Sequence, residues 1–175
     1  SKNVKGCSHK FHYLEVTNKT TKISTEHLLV NENSFKDPED VDKRCDIEGV
    51  MVSNSHKYLS FCLDTVGNEQ YDFLLFDISD LESRKTVFHK LPKLLYANYH
   101  ISKDERFIFY TMGDSANRLN SVYIYDIESQ VSKKIFQEDS LIDEVDFSMT
   151  SDDEFLLVST GSFKTMTYYY LDIKN

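Results

Sequence analysis

The chain contains no tryptophan, only two prolines and only five glycines. Gly6, Gly49, Gly67, Gly113 and Gly161 are isolated from one another, so no glycine-rich loop can cradle a phosphate. No G-x-S-x-G nucleophile elbow occurs either. Cysteine is scarce: Cys7, Cys45 and Cys62 form an odd, scattered set. That argues against a disulfide framework and for a reducing, cytoplasmic setting. Basic residues are outnumbered, 20 Lys and Arg against 29 Asp and Glu, and the net charge of −9 argues against a nucleic-acid partner. Such a charge is compatible with attracting cationic ligands, although solubility is its plainer reading. No apolar run reaches 18 residues, so no membrane-spanning helix is expected, and no charged-then-apolar leader suggests a signal peptide. The chain begins without Met and stops at Asn175 just after a strand-like run, which reads as a piece of something longer.

What is present is a repeated phrase. Ser102 to Asp126 runs as a turn (SKDE), a strand-like stretch (RFIFYTM), a polar loop and a second strand-like stretch (SVYIYD). The phrase occurs once before and once after. Tyr58, Phe107 and Phe155 stand 49 and 48 residues apart, and Asp77-Ile78, Asp126-Ile127 and Asp172-Ile173 stand 49 and 46 apart. A period of roughly 40–50 residues built from several short strands is the mark of propeller blades. Val50/Tyr99/Phe147 and Val52/Ile101/Met149 align two apart on a strand, so the three copies are expected to bury the same side. Ser55, Asp104 and Asp152 align in the turn, where their side chains suit bonding to the backbone ahead.

The expected fold is therefore all-β, a partial β-propeller of about three four-stranded antiparallel blades after a hairpin. Residues 1–10 read as a ragged start and 11–35 as the hairpin of an early blade. Asn31 to Asp46 reads as a surface connection with a helical turn after Asp37-Pro38. Blades follow over 47–91, 95–137 and 143–173, the last without its fourth strand. Tyr96 to Ile101 is the expected first strand of the middle blade, and Arg84 to Leu91 the polar outer strand of the one before. Three blades cannot close a ring, so the terminal faces are expected to self-associate.

Candidates for chemistry are few. Cys7, His9 and His12 cluster, but their spacing fits no zinc pattern and no second cluster completes a set. The acidic runs Asp37 to Asp42, Asp139 to Asp146 and Asp152 to Glu154 could suggest calcium or paired carboxylates. The first lacks calcium-loop spacing, and the last falls on the repeated turn. Asn18-Lys19-Thr20 matches a glycosylation sequon formally only. No catalytic, cofactor-binding or metal-binding residue is assigned, and no cofactor is expected.

The order of these segments resembles the prolyl oligopeptidase family, and within it the oligopeptidase B branch. The resemblance rests on Gly49 to Ser53, Tyr58 to Phe61 and Leu63 to Tyr71 (LDTVGNEQY). Upstream, Glu26 to Asn33 (EHLLVNEN) adds to it. Downstream, Tyr96-Ala97, Phe109 to Thr111 with Asp114 and Arg118, and Phe136 to Asp139 continue it. It covers about residues 11 to 175. Proline is missing from the Ser53-Asn54-Ser55 turn and after Arg118, and Thr165-Met166-Thr167 departs from the family's wording. The resemblance implies the N-terminal half of a seven-bladed propeller that admits short peptides to a peptidase domain, with cleavage after basic residues. The family's Ser, Asp and His triad lies in that other domain, so this stretch alone is expected to be inert and its parent an enzyme. The alternative is a non-enzymatic propeller scaffold for protein partners, against which weigh the missing Trp-Asp and paired-glycine repeat marks. Arg118 is the one loop residue whose match hints at more than packing.

Overall fold

The computed structural model describes residues 2–3, 10–35, 45–80, 85–87 and 91–173. Among the described residues the chain is all-β, its only helical element a 3-10 turn at Glu32–Phe35. Strands β1 (Lys2–Asn3), β2 (Lys10–Thr17) and β3 (Ser24–Asn31) form a first antiparallel sheet. A second follows as β4 (Asp46–Val52), β5 (Tyr58–Asp64), β6 (Gln70–Asp77) and β7 (Lys85–Val87), with the two-residue β8 (Leu94–Leu95) pairing to the start of β6. A third contains β9 (Tyr99–Ile101), β10 (Phe107–Gly113), β11 (Leu119–Asp126) and β12 (Val131–Gln137). The last contains β13 (Glu144–Met149), β14 (Phe155–Gly161) and β15 (Met166–Asp172). Each sheet is a meander of sequential neighbours, the layout of propeller blades.

Three details differ from the sequence reading. Lys2–Asn3 pairs with Phe11 and Lys10, so the expected ragged start includes a short strand at the edge of β2. The first strand of the middle blade begins at Tyr99, because Tyr96 and Ala97 sit at φ 58° and 50° in a turn. β8 carries no periodic signal, yet Leu94 and Leu95 are buried. Of the expected outer strand at Arg84 to Leu91, β7 is described; the helical turn after Asp37-Pro38 lies outside the described residues.

The three aligned turns share one wiring. The N–H groups of Ser53, Ser102 and Thr150 donate across the turn to the carbonyls of Tyr58, Phe107 and Phe155. Their hydroxyls accept from the N–H groups of the same three residues. His56, Glu105 and Asp153 follow in the left-handed region at φ 63°, 59° and 58°. Asp104 and Asp152 accept from Ser102 and Thr150 hydroxyls and from the N–H groups of Arg106 and Glu154. This is the local bonding that makes short polar residues turn-formers.

Packing follows the two-residue alternation of strands. β5 is buried along its whole length. Leu59, Phe61 and Leu63 face Leu29, Val30 and Ile47 on one side, and Tyr58 and Cys62 face Tyr99, Ile108 and Tyr110 on the other. β10 repeats this: Ile108 and Tyr110 enter that second cluster, while Phe109 joins Val145, Phe147, Leu156 and Val158. Each first strand thus turns Val50 and Val52, Tyr99 and Ile101, or Phe147 and Met149 toward the preceding sheet, the shared side that the alignment implies. The far face of the last sheet stays open, with Leu157, Met166, Tyr168 and Tyr170 exposed on it.

Candidate functional site

The polar chemistry of the fold lies in the seams between sheets and at their two ends. In the first full seam, Tyr99 of β9 reaches back to β4 and β5. Its hydroxyl lies 2.9 Å from Ser60 Oγ and donates to the Gly49 carbonyl. Gly49 stands in a β-bulge at φ 62°, and a Cβ there would meet the Tyr99 ring at 3.0 Å. Glycine is required twice over at this point, by the left-handed backbone and by the ring. A second seam bond joins Asn98 Nδ2 to Asp146 Oδ1 at 2.9 Å.

Three buried groups around this seam, Tyr99, Cys62 and Tyr71, stay protonated at neutral pH. Burial, above all, pushes the Tyr99 hydroxyl and the Cys62 thiol far above their usual ranges. Burial, followed by the nearby Glu48 carboxylate, pushes Tyr71 up to about 12. None is poised as a nucleophile or base, which needs a value nearer the working pH. Cys45 and Cys62 are both buried, and the Cys45 thiol lies 3.4 Å from the Glu32 carbonyl.

The meander places the turns 53–57, 102–106 and 150–154 at one end and the loops 65–69, 114–118 and 162–165 at the other. The turn end is charged and polar. The loop end, with the connections between sheets, carries exposed apolar tips at Val66, Tyr96, Leu141, Ile142 and Phe163.

The residues singled out from sequence fall as follows. Cys7, His9 and the run Asp37 to Asp42 lie outside the described residues, which leaves His12 in β2. Asp146 serves the seam, and its neighbour Asp143 has a buried Oδ1 with no hydrogen-bond partner. Asp152 is held below the usual carboxylate range by the Thr150 hydroxyl and the Glu154 N–H. Asn18 accepts from the N–H groups of Thr20 and Thr21 at the exposed tip of the β2–β3 hairpin. Arg118 donates to Asp114 Oδ2 at 3.1 and 2.8 Å and to the Ser140 carbonyl, so it ties the β10–β11 loop to the strand connection behind it. These bonds brace that loop. Among the described residues no group of three or more His, Cys, Asp or Glu is placed to hold a metal, and no helix is long and apolar enough to cross a membrane. Sequence reasoning missed the seam bonds, although Ser55–Glu105 and Asn98–Asp146 are separated by 50 and 48 residues, close to the repeat itself.

A family model for the N-terminal β-propeller domain of prolyl oligopeptidase matches residues 1–175. The chain belongs to that family. Solved structures agree on the fold of this prolyl oligopeptidase propeller. Oligopeptidase B from Leishmania major superposes at a TM-score of 0.75 with 19% identity, over 98% of this chain and 24% of its own. Oligopeptidase B from Trypanosoma brucei, with covalently bound antipain, gives 0.73 and 18% over 99% of this chain and 24% of its own. A prolyl endopeptidase gives 0.64 and 9% over 86% and 23%. The chain thus spans about a quarter of the length of these relatives. A sequence search of curated proteins finds no match.

Proposed function

We propose that the chain is the propeller portion of a serine oligopeptidase that cleaves short peptides after basic residues, and that it gates access to a peptidase domain outside these 175 residues. The observation that carries this reading is the family match along the whole chain, joined to a fold shared with two oligopeptidases B. Three features support it. Apolar clusters on both faces of β5 and β10 make a continuous wall, and a filter that works by size needs a wall rather than reactive groups. The apolar-tipped loop end suits a docked domain, whereas the charged turn end suits water. The net charge of −9 draws cationic peptides by long-range attraction. The buried, free Cys62 thiol suits a reducing cytoplasm.

The test is turnover of an Arg-ended chromogenic peptide by the full-length protein, beside a Pro-ended one. Rapid cleavage of the Arg-ended peptide, abolished by a serine-directed inhibitor, is expected, with none by the 175-residue chain alone. A full-length protein that cleaves neither peptide would favour the non-enzymatic scaffold.

A further inference from the structure

The left-handed turn residue of one sheet reaches across the seam to the turn of the sheet before it at both places, though to different positions of that turn. Glu105 accepts from Ser55, its two carboxylate oxygens taking the N–H at 2.7 Å and the hydroxyl at 2.8 Å. Asp153, at the equivalent position, accepts from the Lys103 N–H, and His100 Nε2 stands 3.5 Å from its other oxygen. The Lys103 ammonium donates to the Ser151 carbonyl beside it. A carboxylate in this place is not needed to make the turn, because His56 takes the same conformation in the first full unit.

Packing alone does not hold this end shut. A cavity of about 190 Å³ lies under the second bridge, lined by Phe107, Phe109, Met149 and Ile173 below and by the turn residues above. Farther down, Val145, Phe147 and Val158 pack with Phe109, beside a second cavity of about 410 Å³ that reaches Leu156 and Leu171. At the turn end the Asp153 carboxylate closes a gap that the side chains leave open.

We propose that Glu105 and Asp153 are clasps that set the spacing between adjacent blades at the turn end, each blade pivoting about its apolar seam when its clasp is released. Acid releases the Glu105 clasp. Its facing groups are Ser53, Ser55 and Lys57 from the preceding turn, Lys57 lying also near Asp77. On its own turn stand Asp104 and Arg106, the latter held by Asp126 at 3.1 Å. Asp153 is faced by His100 and Lys103 from the preceding sheet and by Asp152 and Glu154 on its own turn. Burial disfavours the charged form of Glu105, but bonds from Ser53 and Ser55 outweigh it and hold the carboxyl below its usual range. The clasp is therefore fully formed above the ordinary glutamate range and is lost as pH falls through the lower folded value.

The experiment is pulsed electron paramagnetic resonance on the full chain. One label pair, at exposed Ser79 and Glu128, spans the first seam; a second, at Glu128 and Tyr170, spans the next. Glu105→Ala is expected to lengthen and broaden the first distance, and Asp153→Ala the second by more, because a cavity lies beneath it. Far-UV circular dichroism should stay unchanged. Acidification should widen the first distance in the parent, while Glu105→Gln, a variant that keeps its fold if the alanine does not, should show no such pH response. Unchanged distances in both alanine variants, or an acid response in Glu105→Gln equal to the parent's, would overturn the clasp.

Discussion

Asp64 shows how a single side chain is spent in this fold. It sits at the end of β5, only 2% exposed, and one carboxylate accepts three backbone donors: Val66 and Gly67 at 2.7 Å and Glu69 at 2.9 Å. Burial raises its pKa, but the amides of the loop more than reverse this, and the group lies below its ordinary range. Asp64 thus stabilises the fold above the usual aspartate range, and that contribution fades as pH falls through its lowered value. Asp64→Ala leaves three N–H groups without their acceptor and should cost about 2 kcal/mol, read as a lower urea midpoint at pH 7. Asp64→Asn, which keeps one acceptor oxygen and no charge, should lose less than Asp64→Ala and flatten the acid limb. Equal stability of parent and Asp64→Ala would refute this role. At this scale the sequence was readable where bonding is local, as in Asp104 and Asp152. It was not readable for Arg118, whose anchoring carbonyl at Ser140 lies 22 residues on and follows only from how the strands return.

Strands β5 and β10 carry the architecture, because each supplies side chains to two seams at once. A two-residue period was visible in the sequence, but an apolar residue at every position blurs it, as Ile108, Phe109 and Tyr110 do. What resolved the faces was the repeat: the first-strand pairs Val50/Tyr99/Phe147 and Val52/Ile101/Met149 align, so each sheet must turn the same side to its predecessor. Elements with neither period nor repeat stayed hidden. β8 is two leucines long, and the Tyr96-Ala97 turn uses left-handed residues that are neither glycine nor asparagine. Ile108, fully buried in the seam between the second and third sheets, gives the element-scale test. Ile108→Ala should cost about 3 kcal/mol in chemical denaturation, against almost nothing for exposed Lys134→Ala. Similar losses for the two would mean that the seam is not packed as described.

Among the described residues, four sheets stack through three apolar clusters, with a charged end, an apolar-tipped end and an open face of aromatics on the last sheet. The all-β repeat was legible because its period is longer than any one element and survives changes in individual residues. The proposed gating role came only through resemblance, since a size filter depends on wall geometry and leaves no reactive motif behind. The most direct measurement of the proposed role is cleavage by the full-length protein of a ladder of substrates that share one accessible arginine site. The ladder runs from a chromogenic dipeptide through peptides of about 10, 20 and 40 residues to a folded protein carrying the same site in an exposed loop. The account predicts that kcat/KM stays within about tenfold for the short members, then collapses with length and vanishes for the folded protein. Cleavage of the folded protein at a rate like that of the short peptides would contradict it.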